Sequence, residues 1–225
     1  MSRIRPMGLV ALALAGACAA PAQAVRAKTP VPVVESRLSA DVTRLAEIAQ
    51  IDVESQEQLV RVDALAARVA ALQAELAGAL SQGASQREAK ATVAGQEVRV
   101  RLSDDLMFAA GSARITRRGR VALERVAEVL RRSPVERVEV AGHTDNAPIA
   151  RKYVDNWDLS MTRARAVVVY LIAHEVEPRQ LRLVAYADTQ PLAREDSNEA
   201  RTRNRRVELL IAPEVVAQRT AARAR

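Results

Sequence analysis

From residue 96 onward, short runs with a two-residue hydrophobic rhythm alternate with longer runs at helical spacing, and that order restricts the fold most. Gln96-Glu97-Val98-Arg99-Val100-Arg101-Leu102 places apolar side chains at every second position, as a half-buried strand does. Thr116 then precedes a helical stretch to Arg132, with Val121, Leu123, Val126, Ala127 and Leu130 on or near its inner face, and Ser133-Pro134 stops it. Val135 to Val140 predicts a strand, Asn156 to Ala173 a helix and Leu181 to Tyr186 a third strand. Asn198 to Arg203 fits a short helical turn before a last strand over Arg206 to Ile211. Such alternation predicts an α/β (α+β) domain, a two-layer sandwich of helices over one face of a mixed sheet. Hydrophobic residues make up 49% of the chain but aromatics only 2%, so Val, Leu, Ile and Ala must build its core. The same scarcity of rings argues against single-stranded nucleic acid, whose bases usually stack on aromatic side chains.

The N-terminus points to export. Arg3 and Arg5 precede the apolar run Met7 to Ala15, followed by small residues, the three-part form of a signal peptide over residues 1–24. A membrane-spanning helix needs roughly 20 apolar residues, more than this run supplies. Ala22-Gln23-Ala24 offers a cleavage site that releases a chain starting at Val25. Ala15-Gly16-Ala17-Cys18 resembles a lipoprotein box, with Cys18 as lipid acceptor and Ala15 where Leu is usual. Both routes stay open at this point. Cys18 is the only cysteine, so no disulfide within the chain is available. The net charge of +7 falls to +5 once Arg3 and Arg5 are removed, which suits any acidic partner and selects none. Export argues against nucleic acid as that partner.

Residues 25–35, with Pro30 and Pro32, read as a tether, and residues 36–80 as one long helix. Leu38, Val42 and Leu45 follow steps of four and three, as do Val62, Leu65, Val69, Leu72, Leu76 and Ala79. Asp52, Ser55 and Gln58 interrupt the seam between them. A narrow apolar seam predicts a coiled coil and a homo-oligomer. The alternative is a single amphipathic helix lying on the C-terminal domain. Residues 81–95 read as a linker, 96–212 as the domain, and 213–225 as a basic, frayed tail.

Three segments concentrate chemistry: Gly142-His143-Thr144-Asp145-Asn146, Leu159-Ser160-Met161-Thr162-Arg163-Ala164 and Asn204-Arg205-Arg206-Val207. They put an acid on a loop and a base on the following helix. Asn156, Ser160 and Arg163 at i, i+4 and i+7 share one helix face, and Asn156 is an N-cap candidate. Asp145 and Arg163 either pair with each other to fix the loop or receive a ligand. Strand alternation sends Arg205 and Arg206 to opposite sides, with Arg206 assigned to the site. His143, Asp145 and Ser160 supply the residue types of a hydrolytic triad, but Ser160 lies within a helix and lacks a nucleophile-elbow context. His143 and His174 are the only histidines, too few for the convergent ligands a metal site usually needs. A binding protein without catalysis or cofactor is expected.

These segments, together with Phe108-Ala109-Ala110-Gly111-Ser112-Ala113, closely resemble the OmpA C-terminal-like domain family over roughly Val98 to Ala212. Within it the nearest look is that of the flagellar stator MotB group, through Gly111-Ser112-Ala113 and Asn156-Trp157-Asp158-Leu159-Ser160. The resemblance implies peptidoglycan binding through diaminopimelate, whose free end carries an ammonium and a carboxylate on one carbon. It implies that Asp145 takes the ammonium, Arg163 the carboxylate, and Asn156 contacts the ligand. Gly111 would lie where backbone approaches it, with Thr144 and Asn146 lining the loop. The expected setting is the periplasm of a Gram-negative bacterium, on the cell wall, with the outer membrane as a further partner if Cys18 is lipidated. A stator role is the rival, but no Asp or Glu occurs before Glu35, where an ion channel would need one.

Overall fold

The computed structural model describes residues 32–149 and 152–214. The signal peptide, Cys18, residues 25–31 of the tether and residues 215–225 of the tail lie outside the described residues. The chain divides into two compact units at Ile51–Asp52. Helix α1, Pro32–Ser81, starts four residues earlier than the seam implied and takes in the end of the expected tether. In the first unit Val42, Leu45, Ile48 and Ile51 are exposed on α1. No helix among the described residues is long and apolar enough to cross a membrane.

The second unit uses the rest of α1 differently. Val69, Leu72, Leu76 and Leu80, spaced to fall on one helix face, are buried in the core, with Leu65 and Ala79 packed against it. Gln73 Nε2 also donates to the Ala91 carbonyl at 3.1 Å. This stretch of the expected coiled coil therefore packs on the chain's own domain, as the alternative reading had it. The seam could not reveal that, because a sheet and a second helix ask for the same apolar stripe.

The expected linker is also partly regular. It contains β1, Ala89–Ala94, which forms a hairpin with β2, Glu97–Ser103, through a two-residue turn at Gly95-Gln96. Gly95 has φ +63, the sign such a tight hairpin turn requires of its first residue. The chain continues through α2 (Asp104–Met107), α3 (Arg117–Arg132), β3 (Val135–His143) and α4 (Asn156–Ala173). A turn of 3-10 helix, Pro178–Gln180, leads into β4 (Leu181–Ala187), followed by α5 (Asn198–Asn204) and β5 (Arg206–Pro213).

The five strands lie in the order β1-β2-β5-β3-β4. Only β3 and β4 run parallel, joined by α4 as a crossover, and the other pairings are antiparallel, so the sheet is mixed. Val98, Val100, Leu102, Val138, Val140, Val207, Leu209 and Ile211 point into the core with side chains of α1, α3 and α4. The opposite face carries Arg99, Arg101 and Glu208, which form ion pairs across β2 and β5. Two-layer packing of helices on one sheet face is thus the observed fold.

Candidate functional site

The site forms where β3 ends, α4 begins and α5 passes into β5. Gly142 brings the first two together. A Cβ there would stand 2.1 Å from the Ser160 carbonyl oxygen, so only glycine lets α4 lie this close to β3. Ser160 is fully buried, its Oγ donating to the Trp157 carbonyl at 3.0 Å and accepting from Ala187 N at 3.2 Å. The helix is thereby tied to β3 through glycine and to β4 through serine.

Asp155, not Asn156, caps α4: its carboxylate accepts from Asp158 N at 2.8 Å. Asn156 is the first helical residue and reaches back, donating from Nδ2 to the Asp145 carbonyl at 3.2 Å. This bond ties the helix start to the loop after β3.

Asp145 and Arg163 are not each other's partners. Arg163, 3% exposed, is gripped end-on by Asp104, with Nη1–Oδ1 at 2.9 Å and Nη2–Oδ2 at 3.0 Å. Its Nε donates to the Ser112 carbonyl at 3.2 Å, and its guanidinium carbon lies 5.2 Å from the Phe108 ring centre. Gly111 makes the Ser112 contact possible: its φ of +60 turns the chain within the loop between α2 and α3. Asp145 is paired instead with Arg205, Nη1–Oδ2 at 2.7 Å, and its Oδ1 accepts from Ala147 N at 3.3 Å. Arg205 Nε stands 3.9 Å from Asp104 Oδ2, so two acid–base pairs adjoin.

Burial dominates the charges here. It raises the Asp104 carboxyl above its ordinary range, against the opposing pull of Arg163 and Arg205. It lowers Arg163, with Asp104 acting the other way. Burial also works to lower Arg205, but the hydrogen bond and charge of Asp145 leave it raised.

Arg206 does not join this group, contrary to the sequence reading. It is 4% exposed, donates from Nε to Glu208 at 2.8 Å and binds the Asn204 and Gln190 carbonyls. The parity argument failed because Arg205 is the C-cap of α5, with φ −69 and ψ 103, and the strand begins only at Arg206. Arg205 is therefore the arginine at the site. Asp104 was missed as well, since its partner lies 59 residues away and no local spacing announces it.

The remaining expected residues line the same place with less engagement. Thr144 is buried, its amide donating to the Ala187 carbonyl at 2.8 Å. Asn146 is exposed, and its amide donates to Glu195 at 2.8 Å. Glu195 in turn accepts from Asn204 Nδ2 at 2.8 Å, and Asn204 Oδ1 receives the amides of Leu192 and Ala193. Asn204 thus shapes the loop between β4 and α5. Thr144 Oγ1, Asn156 Oδ1 and the hydroxyl of Tyr153 are buried with no hydrogen-bond partner among the described residues. Buried oxygens of this kind normally find donors, so they are free to serve a ligand. Tyr153 went unnoticed in the sequence.

No catalytic relay joins His143 to Ser160. Neither ring nitrogen of His143 has a hydrogen-bond partner among the described residues, and the ring stacks on Tyr186 with centroids 5.1 Å apart. Burial, then the charge of Arg206, lowers the imidazole to about 4, which keeps it neutral. Trp157, at the start of α4, is 48% exposed.

Comparison with known proteins fits this geometry. The sequence model of the OmpA family matches residues 107–205, a span holding the glycine loop, the histidine-to-aspartate turn, α4 and Arg205. Motility protein B of Helicobacter pylori strain J99 is 33% identical over 150 residues, covering 60% of this chain and 58% of that protein. The peptidoglycan-associated lipoprotein of Pseudomonas aeruginosa is 42% identical over 74 residues, covering 33% of this chain and 42% of the other. Among solved structures, the cell wall anchor of the T6SS from Pseudomonas aeruginosa superposes with a TM-score of 0.58 at 33% identity, covering 63% of this chain and 99% of that one. The chain spans about half the length of the first curated relatives it matches.

Proposed function

Because this chain belongs to the OmpA family through residues 107–205, we propose that it is a non-catalytic anchor that holds an envelope protein, or the outer membrane, to peptidoglycan. The ligand is the free end of diaminopimelate in the stem peptide. One observation carries this reading: Asp145 and Arg163 stand on adjoining elements, and each is neutralised by a different residue. A zwitterion can replace both counter-ions, with its ammonium on Asp145 and its carboxylate on the planar fork of Arg163. Thr144, Tyr153 and Asn156 complete the shell with their unpartnered oxygens. The carbonyl of Ser112, turned by Gly111, keeps Arg163 aimed. Likeness to a motility protein and to a T6SS anchor supports a second possibility for context, a wall-holding subunit of a motor or secretion-type complex.

Pelleting the full chain with purified diaminopimelate-type peptidoglycan tests the site. Asp145→Asn and Asp145→Ala should each weaken co-sedimentation by about tenfold, the usual scale for a lost charged hydrogen bond. A generic attraction to an acidic polymer gives the opposite sign, because either change makes the protein more positive. Tighter or equal pelleting of both variants, at salt that screens surface charge, removes Asp145 from the site.

The exposed part of α1 supports self-association. Val42, Leu45, Ile48 and Ile51 lie uncovered, and Leu59 and Val62 continue the apolar run towards the buried seam. Leu45→Asp with Ile48→Asp should leave the full chain monomeric by analytical ultracentrifugation, while the unaltered chain sediments as an oligomer. Identical sedimentation of the two would discard the oligomer. The region N-terminal to the described residues supports export to the periplasm, and mass spectrometry of the mature N-terminus separates a lipid on Cys18 from a start at Val25.

A further inference from the structure

We propose that ligand binding here is an exchange of ion-pair partners centred on Asp104, and that this exchange selects a zwitterion over a simple acid or amine. The inference rests on the reading of Asp145 and Arg163 as the ligand site. Asp104 is 8% exposed and holds both terminal nitrogens of Arg163, while Ser112 holds the third. A carboxylate arriving at that fork meets another carboxylate already in place. Two acids do not share one buried guanidinium without strong repulsion, so Asp104 must find a new cation.

One cation is within reach. Arg205 lies 3.9 Å from Asp104 and is 28% exposed, but it is engaged by Asp145 at 2.7 Å. An ammonium that takes Asp145 frees Arg205 to turn to Asp104. Two pairs then become three: ligand ammonium with Asp145, ligand carboxylate with Arg163, and Asp104 with Arg205. Every buried charge keeps a partner at the end.

Ligands with one charge cannot complete the exchange. A carboxylate alone displaces Asp104 while Arg205 is still held by Asp145. An ammonium alone releases Arg205 and leaves the Asp104–Arg163 pair closed. The other charge facing this group is Asp105, 67% exposed and 3.9 Å from Arg205, too open to water to replace Asp104. Thr202 Oγ1, which accepts from Arg205 Nη2 at 3.0 Å, steadies the arginine on the α5 side. Burial raises the Asp104 carboxyl and lowers Arg163, and each group's charge opposes the other's shift, so either charge left alone there is costly. Asp104 is thus a specificity-determining residue that keeps the site shut to half-matching ligands.

Calorimetric titration with two tripeptides tests this. One is L-Ala-γ-D-Glu-meso-diaminopimelate, and the other lacks only the distal amine. The unaltered protein should favour the first by at least about tenfold, the scale of one charge-assisted bond. Asp104→Asn frees Arg163 of its competitor, so it should bind the amine-free peptide more tightly and shrink the preference to about threefold or less. The same preference in both proteins overturns the exchange. Equal binding of the two peptides by the unaltered protein also overturns it, and with it the assignment of the ammonium to Asp145, while the carboxylate site on Arg163 stands. Binding of neither peptide sinks the site reading and this inference with it. If Asp104→Asn does not fold, the arginine Nε–H signals of the unaltered protein decide, assigned with Arg205→Lys. Adding the complete tripeptide should shift both Arg163 and Arg205, and an unmoved Arg205 excludes the exchange.

Discussion

Gly142→Ala should cost about 3 kcal/mol or more of stability and remove peptidoglycan binding together with it, at the upper end of what overpacking does. The added methyl would meet the Ser160 carbonyl oxygen at 2.1 Å and its carbon at 2.8 Å. Both are backbone atoms of a helix, so no rotamer change makes room. Helix α4 must move away from β3, and with it go the Ser160 bond to Ala187 and the Asn156 bond to Asp145. Arg163 sits one turn further along the same helix and shifts too. Gly78→Ala is the control, because nothing lies within 4 Å of a methyl added there. In the last turn of α1 that change should stabilise by less than about 1 kcal/mol through helix propensity. Urea midpoints of the two variants check both signs. An unchanged midpoint for Gly142→Ala would show that β3 and α4 are not packed as described.

Arg163→Ala should lose wall binding, but it should also destabilise the fold by about 3–5 kcal/mol, because it strands the buried Asp104 carboxylate. A double variant, Asp104→Ala with Arg163→Ala, removes both charges and should recover much of that stability while binding stays lost. The deficit of the single variant should shrink as pH falls. Burial already raises Asp104 above its unfolded value, and losing Arg163 raises it further, so the folded state binds the proton more tightly than the unfolded one. The penalty is therefore full above the folded value and relieved below it. Chemical denaturation at two pH values, alongside pelleting, separates the effects. A double variant as unstable as the single one would mean that Arg163 acts through packing on Phe108 rather than through its charge.

The fold was legible wherever periodicity and punctuation agreed. Helix α3 ran from its Thr116 cap to Ser133 as expected, the cap accepting from Gly119 N at 2.9 Å, and α4 spanned Asn156–Ala173. Strand β1 escaped because Ala89-Lys90-Ala91-Thr92-Val93-Ala94 is alanine-rich and weak in strand propensity, and only pairing with β2 makes it regular. Asp145 and Arg163, the acid and base singled out by their motifs, stand on adjoining elements. Their counter-ions were not legible. Asp104 belongs to a four-residue helix and Arg205 to a helix cap, and what brings them together is the start of β2's partner strand, set by long-range register.

The burial of Val69, Leu72, Leu76 and Leu80 makes the last turns of α1 a structural part of the domain. Tension applied to those last turns falls on the domain itself. It is borne by apolar side chains that share one buried core with those of β2, β5 and α3, so a pull strong enough to extract the helix also opens the core that positions Asp104 and Arg163. The Asp104–Arg163 pair and the fold thus share one mechanical limit, and a domain overloaded through the end of α1 loses the proposed site by coming undone.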